Sequence, residues 1–154
     1  MREPPAFLFR LLHGWFLVSR GLTLGVRAAV FDGNGRVLLV RHTYVKGWHL
    51  PGGGVEVGET ALEALTRELR EEGNIELDGT PLLRGLCLNT RSSRRDHVLV
   101  YEVRSYRQSA PKAGDREIAA ATFFALDALP EGTTEATRER LAEIARGTPP
   151  AGLW

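Results

Sequence analysis

The sequence predicts an α/β domain in which a mixed β-sheet lies between helices. Apolar, β-branched runs recur at 23–31, 37–44, 82–89, 97–104 and 121–126, the composition that strands favour. Two segments with helical periodicity, 61–72 and 134–146, fall between and after them. Strands and helices alternate irregularly, which suggests mixed strand directions in a sheet covered by helices.

Residues 1–20 stand apart from a domain expected over 21–154. Phe7 to Val18 is rich in Phe, Leu and Trp, interrupted by Arg10 and His13. It is too short to span a bilayer, and no small-residue cleavage motif follows. A docked helix, an interfacial membrane helix and a divergent signal sequence compete. Phe7, Leu8, Leu11, Leu12, Trp15 and Phe16 form more apolar surface than an isolated helix leaves in water. The expectation is therefore a helix packed on the domain or on a homodimer partner.

Thr23 to Phe31 and Val37 to Tyr44 flank Asp32-Gly33-Asn34-Gly35, a strong turn signal, and read as a hairpin. A loop carrying Lys46, Trp48 and His49 leads to Pro51-Gly52-Gly53-Gly54, where glycines let backbone approach a ligand closely. Thr60 with Glu63 makes a capping box for a helix from Ala61 to Glu72. Leu82 to Asn89 and His97 to Arg104 are strands joined by a polar loop, and Ala121 to Leu126 is a further short strand. Thr134 to Arg146 is a terminal helix with Leu141, Ile144 and Ala145 inward and Gly147 as its stop.

The 61–72 helix carries the chemistry. At about 100° per residue, Glu68, Glu71 and Glu72 share one face. Like charges so placed cost roughly 0.2–0.5 kcal/mol per pair. A hard divalent cation preferring oxygen ligands turns that repulsion into affinity. Leu62, Leu65 and Leu69 project as the core stripe, Ala61 and Ala64 leave room on the acidic side, and Glu63, Thr66 and Arg70 face solvent.

At 154 residues, 43% hydrophobic, 25% charged and formal net charge +1, the chain is an ordinary globular domain with no bias toward nucleic acid. The single cysteine, Cys87, excludes an intrachain disulfide, fits a reducing cytoplasm, and falls in an apolar run where a buried thiol is expected.

Gly53, Glu59, Arg67-Glu68-Leu69, Glu71-Glu72 and Ile75 resemble the Nudix box, G-x5-E-x7-R-E-U-x-E-E-x-G-U, where U is a bulky aliphatic. One position departs: the final glycine is Asn74, the next most tolerant residue of a left-handed helix end. The resemblance implies the Nudix α/β/α sandwich and hydrolysis of a pyrophosphate linkage. It makes Glu68, Glu71 and Glu72 ligands of Mg2+, with Mn2+ as the alternative ion, aided by the backbone carbonyl of Gly52. Arg67 and Glu59 would brace loop and helix. Glu117, ahead of Phe123 and Phe124, resembles the family's loop glutamate, so the catalytic set is Glu68, Glu71, Glu117 and Arg67. Both Glu117 and Glu71 stay open as the base for a metal-bound water. An all-oxygen donor set suits magnesium and disfavours zinc.

The substrate is less defined. Arg41, His42, Arg94 and Arg95 are phosphate contacts by charge, Gly53 by its loop position, and Trp48 or Tyr44 offers a face to a base. No marker downstream of the box selects a base. The expected function is magnesium-dependent hydrolysis of a small nucleoside di- or triphosphate derivative, without nucleic acid as partner. The alternatives are an RNA 5′-pyrophosphohydrolase, suggested by the arginines at 91–95, and a non-catalytic nucleotide sensor.

Overall fold

The computed structural model describes the backbone of residues 6–154 and side chains from residue 11 onward. Phe7 and Leu8, on which the N-terminal expectation also drew, lie outside the described side chains. In chain order come α1 (Ala6–Ser19), β1 (Thr23–Val30), β2 (Val37–His42), α2 (Ala61–Gly73) and β3 (Ile75–Leu77). β4 (Leu82–Leu88), β5 (Asp96–Val103), β6 (Tyr106–Gln108), β7 (Ile118–Phe124) and α3 (Glu135–Arg146) follow. Strands join in the order β1-β5-β4, with β1 parallel and β4 antiparallel to β5. β2 with β7 and β3 with β6 form antiparallel pairs. The sheet is mixed, as expected.

Successive residues of β1 feed opposite faces. Val26, Ala28 and Val30 pack with Ala64, Leu65 and Leu69 of α2, whereas Ala29 joins Phe31, Leu39, Leu50 and Leu141 of α3. The two helices thus cover the two faces.

The expected hairpin does not form. The Asp32 carboxylate accepts from the amides of Asn34 and Arg36 at 3.0 and 2.9 Å, so the chain reverses where expected. Beyond the bridge between Phe31 and Val37 the strands part, β1 to β5 and β2 to β7. The free edge of β1 is taken instead by the glycine loop. Val26 N donates to Gly53 O and Ala28 N to Pro51 O, both at 2.9 Å, and Val55 N donates to Leu24 O at 2.8 Å. A turn signal specifies a reversal, not the partner across it.

α2 is rotated slightly from the expected projection. Ala64 is fully buried while Leu62 is 43% exposed, so the core stripe is Ala64, Leu65 and Leu69. The small Ala64 is contact surface rather than clearance above the acids. On α3, Leu141 is buried but Ala145 is exposed, and Arg140 and Glu143 are buried in its place. Arg140 donates to Glu143 at 3.0 Å and to Cys87 Sγ at 3.1 Å, which fixes the cysteine as a packed thiol. The last strand starts at Ile118, ahead of the expected Ala121.

The N-terminal helix forms, but every residue from Leu11 to Arg20 is exposed. Among the described side chains of α1, none is buried against the rest of the chain.

Candidate active site

The glycine loop is pinned between β1 and α2. Gly52 has φ +138°, and a Cβ there would run into the Val26 carbonyl. A Cβ on Gly53 would collide with the Glu68 carboxylate. Both positions need glycine because backbone and carboxylate pass where a side chain would stand.

α2 begins with the expected capping box: Glu63 N donates to Thr60 Oγ1 at 3.2 Å, and Thr60 N donates to Glu63 Oε2 at 2.8 Å. Arg67 gathers the surrounding groups. Its Nε and Nη2 donate to the two oxygens of Glu59 at 3.0 and 3.1 Å, its Nη2 to Gly54 O at 3.0 Å, and its Nη1 to Glu68 Oε1 at 2.6 Å. The hydrogen bonds it donates to Glu59 and Glu68 hold the guanidinium firmly charged, and Arg67 in turn keeps Glu59 below the usual carboxylate range. Arg67 thus ties Glu59 and Gly54 of the loop to α2.

Glu72 is only 6% exposed. Its Oε2 accepts from Gly52 N at 2.7 Å, and its Oε1 lies 3.4 Å from His42 Nε2. Burial, outweighing the Gly52 hydrogen bond and the Arg27 charge, pushes its carboxyl up to about 7. Burial also lowers His42 and His49, so both imidazoles are neutral near pH 7 and the His42 contact is not an ion pair. Arg27, from β1, donates through Nη1 to Leu50 O at 3.2 Å and also to Gly52 O. The carbonyl expected to face the metal is thus held by a half-buried guanidinium.

These groups line one cavity of about 890 Å³. Glu68, Glu71, Glu72, Arg67, Gly52 and Gly53 form one side, and Lys112, Asp115, Arg116 and Glu117 contribute another. Asp115 Oδ1 accepts from Glu117 N at 2.9 Å and from Ile118 N at 2.7 Å, while Oδ2 pairs with Lys112 at 2.6 Å. Those bonds hold its carboxyl far below the usual range and set the turn that delivers Glu117.

Three expected substrate contacts lie elsewhere. Arg41 lies over the Trp48 ring, 5.3 Å from its centroid, and Trp48 packs edge-on against Phe124 at 5.0 Å. Trp48 is partly buried and packs against the core cluster beside α3. Arg95 is at the end of α1, where its Nη1 donates to Val18 O at 3.3 Å. Tyr44 and His42, in contrast, line the cavity. Sequence reasoning missed Arg27, His49, Lys112, Asp115 and Arg116. Arg27 left one signal, a lone charge inside the apolar run Thr23–Val30.

Among the described residues, no three carboxylate, imidazole or thiolate groups are already gathered as a metal cluster. Glu68 is turned to Arg67, Glu72 is held by Gly52 N, and the Glu71 side chain is 58% exposed. The donors are nevertheless all carboxylate oxygens lining one cavity, so they fit a hard cation that keeps several waters, after rotation of the Glu68 and Glu71 side chains.

A sequence model of the NUDIX domain matches residues 21–144. The chain belongs to the NUDIX family. A MutT NUDIX hydrolase from Burkholderia pseudomallei superposes with TM-score 0.68 at 29% identity, over 79% of this chain and 97% of that one. A Bacillus subtilis protein provisionally named an ADP-ribose pyrophosphatase, YjhB, is 32% identical over 107 residues, 68% of this chain and 51% of its own length. An RNA pyrophosphohydrolase from Halorhodospira halophila is 50% identical over 54 residues, 35% of this chain and 30% of its own length. The chain thus spans about half, or less, of the length of these two curated relatives.

Proposed function

We propose that this NUDIX protein hydrolyses the pyrophosphate linkage of a small nucleoside di- or triphosphate derivative, using Mg2+ or Mn2+. The supporting observation is that Glu68, Glu71 and Glu72 of α2 share one cavity with Glu117 from the opposite loop and with the cations Arg27, Lys112 and Arg116. Glu68, Glu71 and Glu72 would hold the ion, which when bound supplies charge neutralisation and acidifies a water. Arg67 orients Glu68. Glu117 and Glu71 line the same cavity and are the two candidates for the base that would take a proton from the attacking water. Lys112 and Arg116 offer charge to the phosphates, and Tyr44, 72% exposed at the cavity, offers a ring face to a base.

The loop arginines do not favour RNA. Arg91 pairs with Glu135 at 2.7 Å and Arg95 is engaged by α1, outside the carboxylate cavity. The test is release of phosphate, pyrophosphate or nucleoside monophosphate from a panel of nucleoside triphosphates, nucleotide sugars, ADP-ribose and 5′-triphosphorylated RNA, with Mg2+ or Mn2+. Turnover of a mononucleotide derivative supports the proposal, preference for RNA replaces the substrate class, and a silent panel leaves the sensor reading.

A further inference from the structure

The described side chains of α1, from Leu11 to Ser19, are all exposed and mostly apolar. Leu11, Trp15 and Val18 are 67%, 66% and 74% exposed, with Leu12 and Phe16 exposed beside them. At about 100° per residue these five side chains sweep an arc of roughly 160°. Ser19 falls inside the arc, but its hydroxyl is spent on Trp15 O at 2.7 Å. His13, Gly14 and Arg20 take the other side together with Leu17, itself 63% exposed, so apolar surface extends beyond the arc.

Charge accompanies the arc. Residues 6–22 contain no aspartate or glutamate, although the whole chain is balanced at +1. Arg20 lies over the Phe16 ring at 4.6 Å, its cation at the edge of the apolar face. Arg95 Nη1 donates to Val18 O and Gly21 O at 3.3 and 3.5 Å, tying the helix end to the loop that presents exposed Arg94. An apolar arc bordered by arginines and free of acids matches a bilayer bearing anionic headgroups. A second copy fits less well. A helix–helix contact covers a stripe of about 100°, and like arginines would face one another across a two-fold axis. At 14 residues the helix is about 21 Å long, short of the ~30 Å hydrocarbon layer, so it would lie in the surface plane.

We propose that α1, with Arg20, Arg94 and Arg95, docks the protein on an anionic lipid bilayer. From Gly21 the chain extends to Gly25, which bridges Gly54 of the cavity lining. Four extended residues cover at most about 13 Å, so the docked surface lies close to the carboxylate cavity.

The experiment uses the full chain with phosphatidylcholine vesicles made with or without phosphatidylglycerol, reading co-sedimentation and Trp fluorescence. The expected result is binding to the anionic vesicles with a blue shift from Trp15, weakened by salt. Leu12→Glu and Arg94→Glu should each reduce partitioning by about tenfold or more. Both positions are exposed, so the melting temperature should hold and loss of binding is not loss of fold. Equal binding to neutral vesicles, unaffected by Arg94→Glu, would overturn the proposal. So would no vesicle binding, whether light scattering gives a monomer or a dimer that Leu12→Glu splits; the dimer would assign α1 to a second copy.

Discussion

Glu72 Oε2 accepts the amide proton of Gly52 at 2.7 Å, joining the last turn of α2 to the glycine loop that precedes it. The bond links residues 20 apart in sequence and buries a carboxylate in the floor of the cavity. A group kept for stability alone would not be a buried acid, because burial disfavours its charged form.

Glu72→Gln keeps the shape and an oxygen for the Gly52 amide but removes the charge. Because the folded carboxyl titrates near 7, above the ordinary 4.5, the native state holds its proton more tightly than the unfolded chain. Metal-free wild type should therefore lose stability as pH rises from about 4.5 to about 7, by up to roughly 3 kcal/mol. Glu72→Gln should flatten that slope and be as stable or more so at pH 8. Turnover should fall by orders of magnitude, since a ligand charge is lost. Arg70→Gln, on the exposed side of α2, is the control and should leave both nearly unchanged. Urea titrations of metal-free protein across pH, paired with rates, check this; an unaltered slope would mean another group sets it.

Arg67→Lys keeps the positive charge and loses the fork. Arg67 makes four short hydrogen bonds to Glu59, Gly54 and Glu68, and a lysine ammonium cannot reach them in the same geometry. The expected cost is about 1–3 kcal/mol, together with a kcat loss of at least about tenfold as Glu68 loses its orientation. Thermal melts and steady-state kinetics measure the two. A variant with wild-type kcat would show that Glu68 is positioned without Arg67.

Gly53→Ala and Gly52→Ala should separate. The Gly53 Cβ meets only the far end of the Glu68 side chain, which can swing aside. Activity should drop about tenfold or more as the carboxylate is displaced, while the melting temperature stays within a few degrees. The Gly52 Cβ meets the Val26 backbone at a φ of +138°, and neither can give way. That variant should lose about 2 kcal/mol or more of stability. Equal melting temperatures for both would contradict the geometry.

The helix that carries the carboxylates was legible because its signals are local. Its cap, periodicity and left-handed end depend on neighbours within a few residues, and Asn74 indeed sits at φ 53°, ψ 33°. Glu117 was singled out only through resemblance, since nothing local in the sequence distinguishes it from a solvated acid, and the Asp115 carboxylate that shapes its turn is seen only in the structure. The partner of β1 was not legible, because β1 meets residues 96–103 on one edge and the glycine loop on the other. The contact between Trp48 and Arg41 was not legible for a similar reason. Ring and guanidinium satisfy each other, a pairing that composition does not reveal.

Arg27 is the residue on which the floor of the cavity turns. It is half-buried beneath the glycine loop, donating to the carbonyls of Leu50 and Gly52, with Glu72 and Glu68 as the strongest charges acting on it. Burial lowers its own pKa, yet a guanidinium stays charged at any pH the fold survives. It could serve as a strut for the loop, as a counter-charge for the acids, or as both. Arg27→Met removes charge and donors together, leaving two carbonyls unpaired, at a cost of about 2–4 kcal/mol. Arg27→Lys keeps the charge and loses the two-carbonyl reach. Arg27 lowers the Glu72 carboxyl against the larger effect of burial. Arg27→Met should therefore move Glu72 above 7 and extend the falling limb of metal-free stability to higher pH. Arg27→Lys should leave that limb near its wild-type position while still lowering the melting temperature. Carboxyl 13C shifts of Glu72 followed through a pH titration read the charge effect directly, and melting temperatures read the strut. An unmoved Glu72 titration in Arg27→Met would reduce Arg27 to a strut, and equal titration shifts in both variants would assign the effect to the loop rather than to the charge.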